Sequence, residues 1–589
     1  MKAYDFKKLW VDYYVSKGHT EIENAPLIPD NDPSVLFTTA GMHPLVPYLL
    51  GSKHPGGNRL TNSQTCLRTN DIDEVGDHCH LTCFEMLGRW SLGDYFKEFA
   101  VETTYDFLVN HLKLDFNRIS VTCFAGDENA PRDEVSAAAW KALGLPEDRI
   151  YFYGAAENWW GLPTGGPCGP DNEIFYDMKP NEPKCGPDCG PACNCGKFME
   201  IGNNVFMEFF RNEDNSLTPL KQKNVDTGMG LERIYCLIEG YNNVYETELF
   251  RDIVAKVKDL AVDYIESSAR MIADHTRSSC LLIRDGVTPS NMGQGYVLRR
   301  MIRKCVRHLR KMGIAFDKYM DIINTTLDVC DMVGLYPTLK EKKDVILEEM
   351  AKETKKFSNT LVDGERKFNQ MVRNLRNKGE TMLDGTECFK LYDTYGFPFE
   401  ITAELAAEAG IEVDAKGFEE KFAAHQQVSK KGADQAFKGG LAETNEITTK
   451  YHTATHLLHK ALKIVLGDEV YQKGSNITTE RMRFDFPYSG GKMTPEQIKQ
   501  VEDIVNEQIN AAIPVECYEV SNEEASNMGA IGLFSDKYGE VVKVYKIGDF
   551  SIEKCGGPHV MNTKDIGHFR IAKEEGIGSG VRRIKAIID

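Results

Sequence analysis

Nowhere in the 589-residue chain is there a run of about 18 consecutive apolar residues, the length that a membrane-crossing helix needs. The first residues, MKAYDFKKLW, hold no signal-peptide core, so export is not expected. Positive charge is scarce. Lys and Arg number 70 against 88 Asp and Glu, a formal net charge of −18. Nucleic-acid binding through bulk positive charge is thereby excluded, although a local basic stripe is not. GxxxxGK followed by Ser or Thr is absent, so a P-loop nucleotide site is not expected. No internal repeat or long low-complexity tract occurs.

What remains is ordinary globular composition, 42% hydrophobic and 27% charged, long enough for about three to five domains. Sixteen unevenly spread Cys with no export signal suggest a reducing cytoplasm and some metal-binding thiols. Residues 1–240 mix Gly/Pro turns with β-rich runs such as 205–210. Residues 241–431 are dominated by helical periodicity. Residues 432–450, polar and rich in Gly and Thr, read as a linker. Residues 451–589 predict an α+β domain: a helix over 451–465, strands at RMRFDF and VVKVYKI, and a helix over TPEQIKQVEDIVNEQI with Thr494 and Glu496 near its start. The expected fold class is α+β multidomain.

Three clusters carry chemistry. CGPDCGPACNCG holds Cys185, Cys189, Cys193 and Cys195, four thiols within eleven residues, which fit either a tetrahedral zinc site or free thiols in a turn. Arg299, Arg300, Arg303, Lys304, Arg307, Arg310 and Lys311 recur at helical spacing. They form either a stripe for a phosphate backbone or a face paired with acidic neighbours. His452 and His456 lie four apart on one predicted helix face, and Cys555 and His559 lie four apart in CGGPH. Three histidines and one cysteine suit Zn²⁺, although HxxxH alone is a weak signal.

Four segments go further: PLIPDNDPSVLFTTAGMHPLVPYLLG (26–51), TCLRTNDIDEVGDHCHLTCFEMLGRWSLGDYF (65–96), ENWWGLPTGGPCGPDNEIFYD (157–177) with EIGNNVFMEF (200–209), and VDTGMGLERI (225–234). Together they resemble the catalytic core of alanyl-tRNA synthetases, a class II family. The class I signatures HIGH and KMSKS are absent. The resemblance implies an antiparallel-sheet catalytic core, a helical tRNA-recognition domain and a zinc editing domain. It implies ATP, L-alanine and tRNA(Ala) as substrates, with Mg²⁺ accompanying ATP. Arg68 would clamp the α-phosphate and the amino-acid carboxylate, and Arg233 would grip the ATP tail. The planar guanidinium suits both tasks because it pairs bidentately with phosphate. Met86 would line the adenine pocket. Asp226 would hold the substrate ammonium, with Trp160, Asn203, Val205 and Gly228 shaping a small pocket. Asn291, in PSNMGQGYVLRR, and Asp393, in LYDTYGFP, match the family's readers of an acceptor-stem G·U pair. The resemblance also favours tRNA-backbone binding for the arginine stripe, Arg299, Arg300 and Arg303 among it.

HxxxH, CGGxH and QKGS (472–475) together resemble the family's editing domain. This implies zinc on His452, His456, Cys555 and His559, and substrate positioning by Gln472. The need is energetic. A pocket for alanine rejects glycine by one methyl, about 1–3 kcal/mol, and rejects serine's added hydroxyl by about a hundredfold at most. A second, hydrolytic site for Ser-tRNA and Gly-tRNA is therefore expected.

The chain also departs from the family pattern. Gly202 stands where Trp is usual, and Pro558 where CGGTH has Thr. The RTNDIDEVG loop is short and lacks an expected lysine, a role Asn70 or His78 could take. No β-barrel segment precedes HxxxH, and the family's C-terminal coiled coil and globular domain have no counterpart, so a monomer is expected. A standalone deacylase and a non-catalytic tRNA-binding paralogue are the competing readings. The presence of Arg68, Asp226 and Arg233 argues for the ligase.

Overall fold

The computed structural model describes residues 1–29, 35–161, 165–425, 445–468, 470–488, 490–531, 541–578 and 581–589. They divide into two compact units, Met1–Leu383 with Lys390–Val413, and Asp384–Phe389 with Asp414–Asp589.

The first unit is organised on a sheet of β1 (Thr20–Glu21), β2 (Arg59–Leu67), β3 (Cys83–Leu92), β4 (Ile119–Phe124), β5 (Ile150–Tyr153), β6 (Trp159–Gly161), β7 (Gly166–Asp177), β8 (Phe198–Arg211) and β9 (Leu217–Gly230). Their order is β1-β2-β3-β9-β8-β7-β4-β5, with β6 on β7. The central strands β2, β3, β9, β8 and β7 are antiparallel. Long chain segments separate paired strands such as β3 and β9, so sequence neighbours alone do not give this order.

One face of the sheet is closed by helix α1 (Ala3–Ser16), which buries Phe6, Trp10 and Tyr14. Trp10 Nε1 donates to Gly88 O at 3.3 Å. Arg89 lies under the Tyr14 ring and is fully buried. It donates to Ala100 O (2.6 Å), Thr104 Oγ1 (3.0 Å), Asn204 Oδ1 (3.1 Å) and Thr227 Oγ1 (3.1 Å), so a buried cation is satisfied by neutral acceptors.

Helix α2 (Leu231–Ile238) starts where β9 ends, followed by α3 (Glu266–Arg284), α4 (Gly293–Lys311), α5 (Lys343–Lys378), α6 (Gly385–Tyr395) and α7 (Phe399–Glu408). A short parallel pair, β10 (Met382–Leu383) and β11 (Glu412–Val413), brackets the last two. The helices are stapled to the sheet. Asp274 of α3 accepts from Thr82 N at 3.0 Å, and Arg277 of α3 pairs with buried Glu232 of α2 at 3.3 Å and donates to Cys83 O. The boundary expected at residue 240 therefore falls inside a single compact unit.

In the second unit, α8 (Glu446–Leu466) starts at a capping box made by Asn445 and Thr448. The linker expected over 432–450 is therefore helical from 446, and its residues 432–444 lie outside the described residues. Strands β12 (Gly474–Ile477), β13 (Met482–Pro487), β18 (Val581–Ile588) and β17 (Phe569–Gly578) form one sheet in that order. Strands β14 (Val515–Ser521), β15 (Val541–Ile547) and β16 (Ser551–Lys554) form another. The predicted strands RMRFDF and VVKVYKI are β13 and β15. Thr494 caps α9 (Pro495–Asn510), with Gln497 completing the box. Leu458, Phe484, Val505 and Ile584 share the core. Among the described residues, no helix is long and apolar enough to cross a membrane.

Arg277→Met leaves Glu232 buried without its cation. A loss of about 3 kcal/mol in urea unfolding of the whole chain is expected; unchanged stability would contradict the stapling role.

Candidate active site and metal centre

Cross-strand register assembles the first site. Leu60, Trp90, Asp226, Val205 and Asp171 lie opposite one another in a row across β2, β3, β9, β8 and β7. Two residues along, Asn62, Gly88, Gly228, Asn203 and Glu173 form a second row. Gln64, Met86 and Gly230 begin a third. Paired residues share a face and strand faces repeat every second residue, so all three rows point the same way. Gly88 and Gly228 place no side chain in the middle row; a Cβ on Gly228 would stand 3.0 Å from Met86 Sδ. Met86, Trp90 and Val205 belong to one apolar cluster, with Trp160 of β6 packed against it. The residues expected around the amino acid and the adenine thus come together.

Asp226 is buried. Burial pushes its carboxyl up to about 7, with Trp90 opposite working in the other direction. Arg68 follows the last residue of β2, is half-buried, and packs on the Phe84 ring at 5.2 Å. Its Nε donates to Thr39 O at 3.3 Å. Arg233 of α2 donates to Glu200 O at 2.9 Å and pairs with the Glu200 carboxylate at 3.0 Å. Burial pushes the carboxyl of Asp71, in the β2–β3 loop, upward, against the opposing pull of Arg68, His80 and Arg233.

Sequence reasoning missed Asp171, Glu173 and Glu200. Burial, then Glu200, then Asp171 push the Glu173 carboxyl upward. Asp171 and Glu173 alternate in GPDNEIF at strand spacing, a signal the sequence carried. Gly202 is explained by its surroundings, since a Cβ there would lie 2.4 Å from Met229 Cγ and 2.9 Å from Gly228 O. The Met229 side chain covers the ground that a larger residue would take.

The arginine stripe is corrected. Arg300, Arg303, Lys304 and Arg307 of α4 are buried, not exposed. Arg299 pairs with Glu353 of α5 at 3.3 Å and donates to Asn291 Oδ1. Arg303 donates to Glu353 at 2.6 Å and to Gly396 O. Arg300 and Lys304 pair with Asp73 at 2.7 and 3.1 Å. Arg307 pairs with Glu404 at 2.9 Å and Glu408 at 2.5 Å, Lys311 with Glu408 at 2.6 Å, and Arg310 with Glu365 at 2.7 Å. The partners come from three places: Glu353 and Glu365 of α5, Asp73 of the β2–β3 loop, and α7, whose Glu400, Glu404 and Glu408 repeat every four residues. Asn291 and Asp393 are exposed, one preceding α4 and the other on α6.

In the second unit, ligand atoms of His452, His456, Cys555 and His559 all lie within 4.8 Å of one another. The hydrogen bonds set the tautomers. His452 Nδ1 donates to Pro558 O at 3.0 Å, and His456 Nδ1 faces the Glu553 carboxylate at 3.3 Å. Thr453 Oγ1 gives its proton to Thr449 O, so it accepts from His559 Nδ1 at 3.2 Å. Each Nε2 is left a bare lone pair. That of His559 is buried without a partner among the described residues, and that of His452 stands 3.4 Å from Cys555 Sγ. Burial holds all three imidazoles neutral by lowering their pKa values, that of His452 to about 3. Three bare imidazole nitrogens and a thiol fit Zn²⁺, with their orientation fixed from behind. Pro558 serves through its carbonyl, which any residue there would supply. His459 holds Glu553 at 3.0 Å. Gln472 donates to Ser475 Oγ at 3.2 Å, and no described contact joins it to the histidines.

The class model for tRNA synthetases class II (A) matches residues 5–480. The model for the threonyl and alanyl tRNA synthetase second additional domain matches 542–585, which include Cys555 and His559. The fold is thus that of a class II tRNA synthetase with that additional domain. Alanine–tRNA ligase of Treponema denticola is 51% identical over 99% of this chain and 98% of its own. That of Borrelia hermsii is 50% identical over the whole of both. That of Acetivibrio thermocellus is 36% identical, over 99% of this chain and 79% of its own. The last alignment runs over 704 positions, so that relative carries internal residues this 589-residue chain lacks. The chain belongs to the alanyl-tRNA synthetase family.

The Asp226 carboxyl has a folded pKa of about 7, above its ordinary 3.8. The native state therefore holds the proton more tightly than the unfolded chain, and stability falls as pH rises between these values. Asp226→Asn is expected to melt higher than the unsubstituted chain at pH 8, with the gain shrinking toward pH 5. A gain that is absent or independent of pH in thermal scanning would contradict the buried, uncompensated carboxyl.

Proposed function

We propose that the first unit joins L-alanine to tRNA(Ala) using ATP, and that the second hydrolyses mischarged Ser-tRNA(Ala) and Gly-tRNA(Ala). The ligase reading rests most on Asp226, a buried carboxyl between Trp90 and Val205 on the sheet face that carries Met86. An ammonium entering there supplies the countercharge the carboxyl lacks. Trp160 and Val205 close the pocket around a methyl, beside Asn203 and Gly228.

Arg68 would hold the α-phosphate and the alanine carboxylate together. A carboxylate oxygen attacks the α-phosphorus, the bond to pyrophosphate breaks, and alanyl-adenylate forms. Arg233 takes the pyrophosphate end, with Glu200 fixing its guanidinium, and the adenine lies against Met86. A terminal ribose hydroxyl of tRNA then attacks the alanyl carbonyl and AMP leaves. Crowded Asp171, Glu173 and Glu200 suit a dication, and Mg²⁺ bound with ATP would neutralise phosphate charge. Asn291 and Asp393 are the proposed readers of the acceptor-stem G·U pair, through the wide, shallow minor groove of A-form RNA.

Proofreading follows from the weak discrimination a methyl pocket allows. Zinc on His452, His456, Cys555 and His559 would order the hydrolytic water or the ester carbonyl. Glu553, Pro558 and Thr453 keep the imidazoles in the ligating tautomer. Gln472 is proposed to position the substrate from the neighbouring loop.

Alanine-dependent ATP–pyrophosphate exchange tests the ligase reading. Asp226→Ala is expected to abolish exchange while circular dichroism stays unchanged, and preserved exchange would remove the ammonium role. Cys555→Ala is expected to leave exchange intact and let Ser-tRNA(Ala) accumulate; unchanged fidelity would sink the editing reading.

A further inference from the structure

We propose a second zinc site, on Cys185, Cys189, Cys193 and Cys195, that pins β7 to β8 beside the alanine pocket. It goes beyond ligation and proofreading, and its effect on the pocket rests on the ligase reading. The four sulfurs lie within 4.8 Å of one another. Cys185 and Cys193 are 3.4 Å apart, and Cys189 and Cys195 are 3.8 Å apart. A disulfide would need about 2.05 Å, so all four are thiols. A tetrahedron with Zn–S bonds of about 2.3 Å has sulfur–sulfur edges of about 3.8 Å, the spacing seen here.

The loop is built to converge. Cys189 N donates to Gly186 O at 3.2 Å and Cys193 N to Gly190 O at 2.9 Å, two successive turns that bring each new cysteine back over the last. Packing does not explain the convergence, since Cys185 is exposed and Cys193 and Cys195 are half-buried. Lysines surround it: Lys179 Nζ donates to Cys195 O at 3.2 Å, Lys184 Nζ to Tyr151 OH at 3.2 Å, and Lys197 pairs with Asp177 at 3.0 Å. Such cations offset the double negative charge of zinc held by four thiolates. The loop joins the end of β7 to the start of β8. Those strands carry Asp171, Glu173, Glu200, Asn203 and Val205, so a cross-link at their ends holds the register that lines the pocket.

The test starts from full-length protein carrying His452→Ala, His456→Ala, Cys555→Ala and His559→Ala, which removes all four editing ligands and leaves this loop intact. Elemental analysis is expected to find one zinc per chain, and X-ray absorption four sulfur ligands at about 2.3 Å. No zinc, disulfides in the loop, or nitrogen and oxygen ligands on the metal would overturn the site. In the otherwise unsubstituted chain, Cys185→Ser with Cys193→Ser is expected to lower zinc from two to one per chain and to raise KM for alanine several-fold in pyrophosphate exchange, with a smaller change in kcat. Unchanged zinc overturns the site, and zinc lost with KM unmoved overturns the pinning role.

Discussion

Trp90, Asp226 and Val205 face one another only because β3, β9 and β8 pair in one register. A slip of a single residue would turn each to the opposite face, where Arg89, Asn204 and Thr227 form a closed polar network. That network, in which Asn204 Oδ1 accepts from Arg89, Thr104 and Thr227, resists the slip. The two faces thus divide the labour: one is cross-linked by hydrogen bonds and holds the alignment, the other keeps a carboxyl without its cation. The glycines of the middle row complete the same design, in which space for a small substrate comes from side chains that are missing.

Buried charge recurs through the molecule with a different resolution in each place. Arg89 is met by hydroxyls and carbonyls, Arg277 by Glu232, and the arginines of α4 by carboxylates of α5, α7 and the β2–β3 loop. A buried cation with its anion in place is costly to break, so these pairs lock the helices to the catalytic sheet. In the second unit burial keeps His452, His456 and His559 neutral, and the Glu553 carboxyl is lowered against its burial by His456 and by the hydrogen bond from His459. Neutral nitrogen lone pairs facing inward and an anion behind them describe a pocket awaiting a cation.

Much of this was legible in the residues. GMGLER, EMLGRWSLGDYF and the HxxxH and CGGxH pairs pointed to the family and its fold, because those segments hold the tight turns and the polar residues together. The α4 stripe misled because its partners lie far away in the sequence, Asp73 before it and Glu353, Glu365, Glu404 and Glu408 after it, and helical spacing shows which residues share a face but not what covers it. Asp171 and Glu173 were passed over because alternation within a strand acquires meaning only when β8 is laid beside it. The start of α8 at Glu446 was missed because Asn445 and Thr448 look like linker residues until their reciprocal bonds are seen. Pro558 was weighed against the hydroxyl of the usual Thr, whereas the atom that bonds His452 is a backbone carbonyl.

The central claim is that Asp226 receives the amino group of alanine on the face shared with Met86 and Arg68. It is tested most directly by a crystal structure with a non-hydrolysable sulfamoyl analogue of alanyl-adenylate. The account predicts the ammonium within hydrogen-bonding distance of the Asp226 carboxylate, the methyl toward Val205 and Trp160, the sulfamate on Arg68 and the adenine against Met86. An ammonium bound by any other carboxylate, with Asp226 left uncontacted, would contradict it.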